Sequence, residues 1–138
     1  MAVIEAIATT YLEADAASVT FSGIPTTYEH LQLRISGKED YASAGGALGM
    51  RFNGDTGSNY TYHSMQGSSS TPLGRSSVNQ SAIWMYWFAT LGNDAANYAD
   101  FVVNILDYRN ANKTTTIQFV QGLAVSRGTP YTAFESGM

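Results

Sequence analysis

The chain has 138 residues and 14.9 kDa, a one-domain length on the usual range of about 100–200 residues; surface scaling leaves about 7,000 Å² exposed of the about 21,600 Å² of the open chain. Only 13% of residues are charged against 44% hydrophobic, which argues against disorder and leaves Ser, Thr, Asn and Gly to wet the surface. Seven basic and eleven acidic residues give a net charge of −4, and there is no cysteine, so a phosphate backbone would be repelled, and disulfides, thiolate metal sites and Cys nucleophiles are excluded.

In chain order, residues 1–15 carry Glu5 inside an apolar stretch and no basic start. They read as an arm or edge strand and not as a signal peptide. Ser18-Val19-Thr20-Phe21-Ser22 alternates apolar and hydroxyl residues, and Gly23-Ile24-Pro25 then forces a turn. Leu31, Leu33 and Ile35 face one way while Gln32 and Arg34 face the other, and Leu48, Met50 and Phe52 repeat the pattern around Arg51. Such alternation predicts half-buried antiparallel strands. Ile83–Ala89, an apolar run of seven residues, is far short of the about 20 needed to cross a membrane. It is apolar on both faces, as is Phe101-Val102-Val103, so both read as central strands or strands with one face against a partner. Thr114–Val120 and Gly122–Val125 complete the strands, and Asp94–Ala99 is the one short helical turn expected, capped by Asn93 or Asp94. Gly45-Gly46, Asn53–Asn59, Gly67–Gly74, Gly92–Asp94 and Arg109–Lys113 carry turn chemistry. The pattern predicts one all-β domain over residues 1–138, a sandwich or jelly roll.

Candidate sites are few. Asn53-Gly54-Asp55-Thr56-Gly57-Ser58-Asn59-Tyr60 has alternating oxygen-bearing side chains, but a calcium loop needs several carboxylates and a closing acid. Asp55 is its single acid, so a tight β-connection explains the string, with Asn53, Gly54, Gly57 and Asn59 suited to positive φ. The two histidines, His30 and His63, form no cluster with carboxylates in sequence, and no serine sits in a nucleophile elbow. Asp100 and Asp107 flank one strand at odd spacing and face opposite sides of it if that strand is regular; a carboxylate pair for glycoside hydrolysis is set by separation in space, which sequence alone leaves open. The expectation is no enzyme, no cofactor and no metal. Trp84, Tyr86, Trp87 and Phe88 admit three readings: core packing, a subunit interface where aromatics concentrate, or sugar stacking. Trp84 and Tyr86 share one face and Met85 and Trp87 the other, so one face is expected to pack inside and the other to meet a neighbouring chain.

Three strings carry a resemblance: Ala17–Leu31 with Ser22-Gly23-Ile24-Pro25 and Tyr28-Glu29-His30-Leu31, then Met50–Tyr60 with the specific run Arg51-Phe52-Asn53-Gly54-Asp55-Thr56-Gly57-Ser58-Asn59-Tyr60, then Phe101–Tyr108. Over most of the chain from Ala16 onward it resembles a family of tailed-bacteriophage virion structural proteins, common in cyanophages and other aquatic phages. The resemblance implies an antiparallel β-sandwich of jelly-roll type on the particle surface, made in the host cytoplasm. Its implied role is a capsid decoration (cement) protein that contacts the major capsid protein and copies of itself, with a trimer as the expected cluster and with no nucleic acid or membrane partner. It transfers no catalytic residues; Pro25 would set the turn and Asn53–Asn59 the loop. Members of that family continue past a segment like Thr132–Met138 into two more strands, so a chain stopping there is expected to leave a sandwich edge open to a neighbour's strand. The alternative is a tail, fibre or baseplate module in which Tyr60, Tyr62, Trp84 or Trp87 stacks on host-surface carbohydrate; a glycan-cleaving enzyme is a distant third.

Overall fold

A computed structural model describes residues 4–40, 46–68, 71–90, 98–123 and 131–138. Its strands are β1 (Leu31–Glu39), β2 (Gly46–Met50), β3 (Tyr60–Ser68), β4 (Thr71–Gln80), β5 (Ile83–Thr90), β6 (Ala99–Leu106), β7 (Thr116–Leu123) and β8 (Tyr131–Gly137). No helix occurs among the described residues, and the fold is all-β. The expected helical turn at Asp94–Ala99 falls mostly outside the described residues, and Ala99 opens β6.

The strand order is β2-β5-β1-β6-β7-β8-β3-β4. Pairing is antiparallel throughout, except where β1 meets β5 in parallel at Lys38↔Ala89 and Glu39↔Thr90. Beyond that short junction β5 leaves the sheet edge and lies across β3, β6 and β7 without pairing to them. It carries β2 with it as an antiparallel partner from Gly46↔Phe88 to Met50↔Ile83. A six-stranded sheet is thus covered on one face by a two-stranded layer.

Period-two patterning explains the core between them. Along β6 the residues Ala99, Phe101, Val103 and Ile105 are buried while Asp100 and Val102 are exposed, the alternation a one-sided sheet requires. Ile117 and Phe119 of β7 stand in register with Ile105 and Val103. The Phe101 and Phe119 rings meet diagonally, centroids 6.3 Å apart and tilted 47°, within the favourable range for aromatic pairs. Ile83 and Met85 descend from β5 to close the cluster, with Tyr60 and Tyr62 at its β3 side. Burying each such side chain stabilises the fold by about 1.5–3 kcal/mol.

Two expectations are corrected. Ser18–Ser22 forms no strand: residues 4–30 contain no regular element, because alternation supplies a face but not the backbone partners a strand also needs. The described part of Gly67–Gly74 is strand, since β3 runs to Ser68 and β4 starts at Thr71. Cross-strand pairing at Gly67↔Pro72 and Met65↔Gly74 outweighs the turn propensity of these residues, and Pro72 is tolerated because β4 is an edge strand. β8 is paired on both sides, to β7 and to β3, and among the described residues the strands at the two ends of the order, β4 and β2, each keep an unpaired edge.

Candidate functional site

The distinctive string after Phe52 folds as a self-satisfied turn. Asn53 and Gly54 have φ of 52° and 71°, and the Asp55 N–H donates to the Phe52 carbonyl at 2.9 Å. Two successive positive φ values give the primed turn that Asn-Gly favours. The Asp55 carboxylate then organises the remainder of the loop, accepting the Gly57 N–H at 2.8 Å and the Asn59 amide at 3.0 and 3.2 Å. These donors, the Asn59 amide foremost, hold the Asp55 carboxyl below its ordinary range. A Cβ at Gly57 would stand 2.7 Å from the Asn59 amide nitrogen and 3.1 Å from the Asp55 carboxylate, so a side chain there would displace the Asp55–Asn59 pair. The Asp55 oxygens are engaged by the chain itself, and among the described residues no three His, Asp or Glu side chains gather where a metal ion would sit.

Tyr60 and Tyr62 are not surface aromatics. They are 5% and 3% exposed, because the β3 alternation turns both toward the core, and this removes them as candidates for sugar stacking or partner contact. The Tyr60 hydroxyl instead accepts the Phe52 N–H and donates to the Asp55 carbonyl at 3.2 Å. The Tyr62 and Tyr86 hydroxyls are 3.2 Å apart, with tilted rings 6.1 Å between centroids.

On β5, Ile83 and Met85 form the buried face and Trp84 and Tyr86 the half-buried one. Gly49 pairs with Trp84 across the β2–β5 ladder, and the indole lies over it, leaving 3.0 Å to an added Cβ. The Arg75 guanidinium stands 5.8 Å from the Tyr86 ring centroid, cation–π range. The second face of β5 is therefore partly covered by the chain's own β2 and β4. Trp87 and Phe88 lie on β5, and their side chains lie outside the described ones.

Another region joins the N-terminal segment to the β6–β7 connection. The Tyr108 hydroxyl donates to the Pro25 carbonyl, Arg109 donates to the Thr26 carbonyl at 3.2 Å, and the Asp107 N–H donates to His30 Nδ1 at 2.9 Å. Asp107 takes φ of 51°, accepts from Asn110 at 3.1 Å and pairs with Lys113 at 2.8 Å. Lys113 is the chief cause that lowers its carboxyl, followed by Asn110. Tyr28 donates to Glu5 at 2.6 Å, and this bond is the main reason its hydroxyl is pushed up. His30 is thus a structural acceptor. His63 is exposed on β3 and Asp100 exposed on β6, and neither joins a catalytic arrangement among the described residues.

Sequence reasoning missed the outer face of the sheet. Arg34, Val102, Val120, Phe134, Met65 and Gly74 fall in one register row across β1, β6, β7, β8, β3 and β4. Val102 and Val120 are exposed and Met65 is 69% exposed. Toward β1 the face turns polar, where Gln32 donates to Asn104 and accepts from Arg34. The signal was Phe101-Val102-Val103, apolar on both sides of its strand, but cross-strand register is what makes a row of it. Compared with known proteins, the chain matches no family model, and no curated protein or solved structure is significantly similar to it.

Proposed function

We propose that this protein is a virion structural protein of a tailed phage, acting as a capsid decoration (cement) protein that binds major capsid subunits and copies of itself. The body is read as an antiparallel sandwich of jelly-roll type, with β2 and β5 as its second layer. The observation that carries the reading is the exposed apolar row of Val102, Val120 and Met65 on a sheet of few charges, three basic and three acidic across its six strands, the kind of patch that marks a protein–protein surface. The Arg51–Tyr60 string, which carries the resemblance to phage structural proteins, supports it. Its residues are engaged in one another's hydrogen bonds, a scaffold's use and not a ligand site's. Burial of Tyr60 and Tyr62 counts against the carbohydrate-binding tail module.

As cement, the mechanism is adhesion. One face packs on the shell, contacts between copies clamp neighbouring subunits, and many weak attachments act together through raised effective concentration. Purified particles of the encoding virus, labelled with antibody against this chain, test the reading. Hundreds of labelled copies over the head, and a shell less resistant to heat or osmotic shock once they are stripped, are expected. Label confined to the tail, or a handful of copies per particle, would overturn the cement role.

A further inference from the structure

We propose that the N-terminal segment, residues 4–22, pairs as an added strand with the free outer edge of β4 in a second copy of this chain. The inference deepens the self-association of the proposed function by naming the two elements that meet. Backbone accounting leads to it. Across residues 4–22 no backbone–backbone hydrogen bond forms among the described residues; the N-terminal stretch is tied down through side chains, at Glu5–Tyr28 and at the carbonyls of Pro25 and Thr26. Yet Val19 and Phe21 alternate with hydroxyl residues as a strand would, and both are exposed together with Ile4, Tyr11 and Leu12.

The receiving edge has the matching deficit. β4 is ten residues long, paired among the described residues to β3 alone, and exposed along nearly its whole length. Leu73 and Val78 project from it into solvent, Val78 at 60% exposure. An unpaired edge invites strand addition; Arg75 is the single charge of this one, and the stretch between Pro72, which has no N–H, and Asn79, at φ of 56°, is the part that can receive a strand.

Charge favours a second copy of this chain as the partner. Residues 4–22 carry Glu5, Glu13 and Asp15 with no Lys or Arg, whereas residues 60–80 carry Arg75 with no Asp or Glu. The acidic segment therefore meets a hairpin of its own chain that has no acid to repel it. Because donor segment and acceptor edge are different surfaces, the contact is head-to-tail, and it closes as a reciprocal dimer or a small ring.

The full chain in isolation provides the test. It has no cysteine, so introduced thiols are unique. Phe21→Cys in one tagged copy and Val78→Cys in another are mixed and treated with a short bismaleimide, while sedimentation reads the mass. A cross-linked pair between the two variants is expected, along with a native mass at least twice that of the monomer. The full-length double variant Val19→Asp/Phe21→Asp should fall to monomer mass with unchanged circular dichroism, since both side chains lie outside the core. A monomer at the highest soluble concentration, or links only between two Phe21→Cys copies, would overturn the pairing. Neither outcome bears on where the protein sits on a particle, which labelling decides separately.

Discussion

The Tyr60 hydroxyl stands 3.0 Å from the backbone nitrogen of Phe52 and accepts its N–H, tying the first residue of β3 to the start of the turn that leads into it. The same oxygen donates to the Asp55 carbonyl, so one buried phenol satisfies two backbone groups of an irregular segment. Tyr60→Phe removes both bonds while keeping the ring in the core. A loss of about 1–2 kcal/mol is expected from an orphaned, partly buried N–H. Chemical denaturation against the wild type measures it, and an unchanged midpoint would mean that water replaces the hydroxyl at no cost.

Two carboxylates held low predict a loss of stability in acid. Asp55 is stabilised as the anion by Asn59 and Gly57, and Asp107 by Lys113 and Asn110. A group lowered on folding contributes stability above its ordinary value of 3.8, and that contribution is lost as pH falls through the lowered folded value. Glu39 opposes them: burial, then the neighbouring Asp40 charge, raises its carboxyl, so it favours the folded state on acidification. Both aspartates are solvent-accessible, so their share is screened by salt. Asp55→Asn and Asp107→Asn should each flatten the decline of melting temperature between about pH 5 and pH 2. An identical acid limb in both variants would assign acid unfolding elsewhere.

How much of the fold was legible depended on whether a residue's partners were near in sequence. Leu31, Leu33 and Ile35 declared β1 by their spacing, and Asn53-Gly54 declared its turn, because local preference and final structure agree there. Val19 and Phe21 show the same alternation and make no strand, since pairing depends on an edge that no local pattern reports. Gly67 and Gly74 failed in the opposite direction, their turn chemistry overridden by the β3–β4 ladder. The direction in which Tyr60 and Tyr62 point was set by the phase of β3 relative to the core, and a shift of one residue reverses it. The outer row through Val102, Val120 and Met65 exists only through the register between strands far apart in sequence.

Gly49 and Trp84 form a cross-strand pair in which the indole fills the space a side chain would take. Gly49→Val drives a branched side chain into a ring only 3.0 Å from the Cβ position. The indole must swing outward, at a cost of about 1–3 kcal/mol for overpacking. Tryptophan emission should shift to the red as the ring gains solvent, in step with a lower denaturation midpoint. Unchanged emission and stability would place the indole elsewhere in solution.

Gly137 closes β8 under β5, where an added Cβ would lie 3.2 Å from Ile83 Cγ2 and 3.2 Å from the Thr61 carbonyl oxygen. The strand cannot back away, because Thr61 and Met138 exchange both backbone hydrogen bonds at 2.9 Å. Ile83 is fully buried, so Ile83→Ala alone opens a cavity and costs about 2–5 kcal/mol. Gly137→Val alone overpacks and costs about 1–3 kcal/mol. Together the new methyls enter the space the isoleucine vacates, and the double variant should be more stable than the sum of the singles by at least about 1 kcal/mol, the coupling expected of residues in contact. Strict additivity in a double-mutant cycle would show that β5 does not rest on β8, and with it the covering layer over the six-stranded sheet would fall.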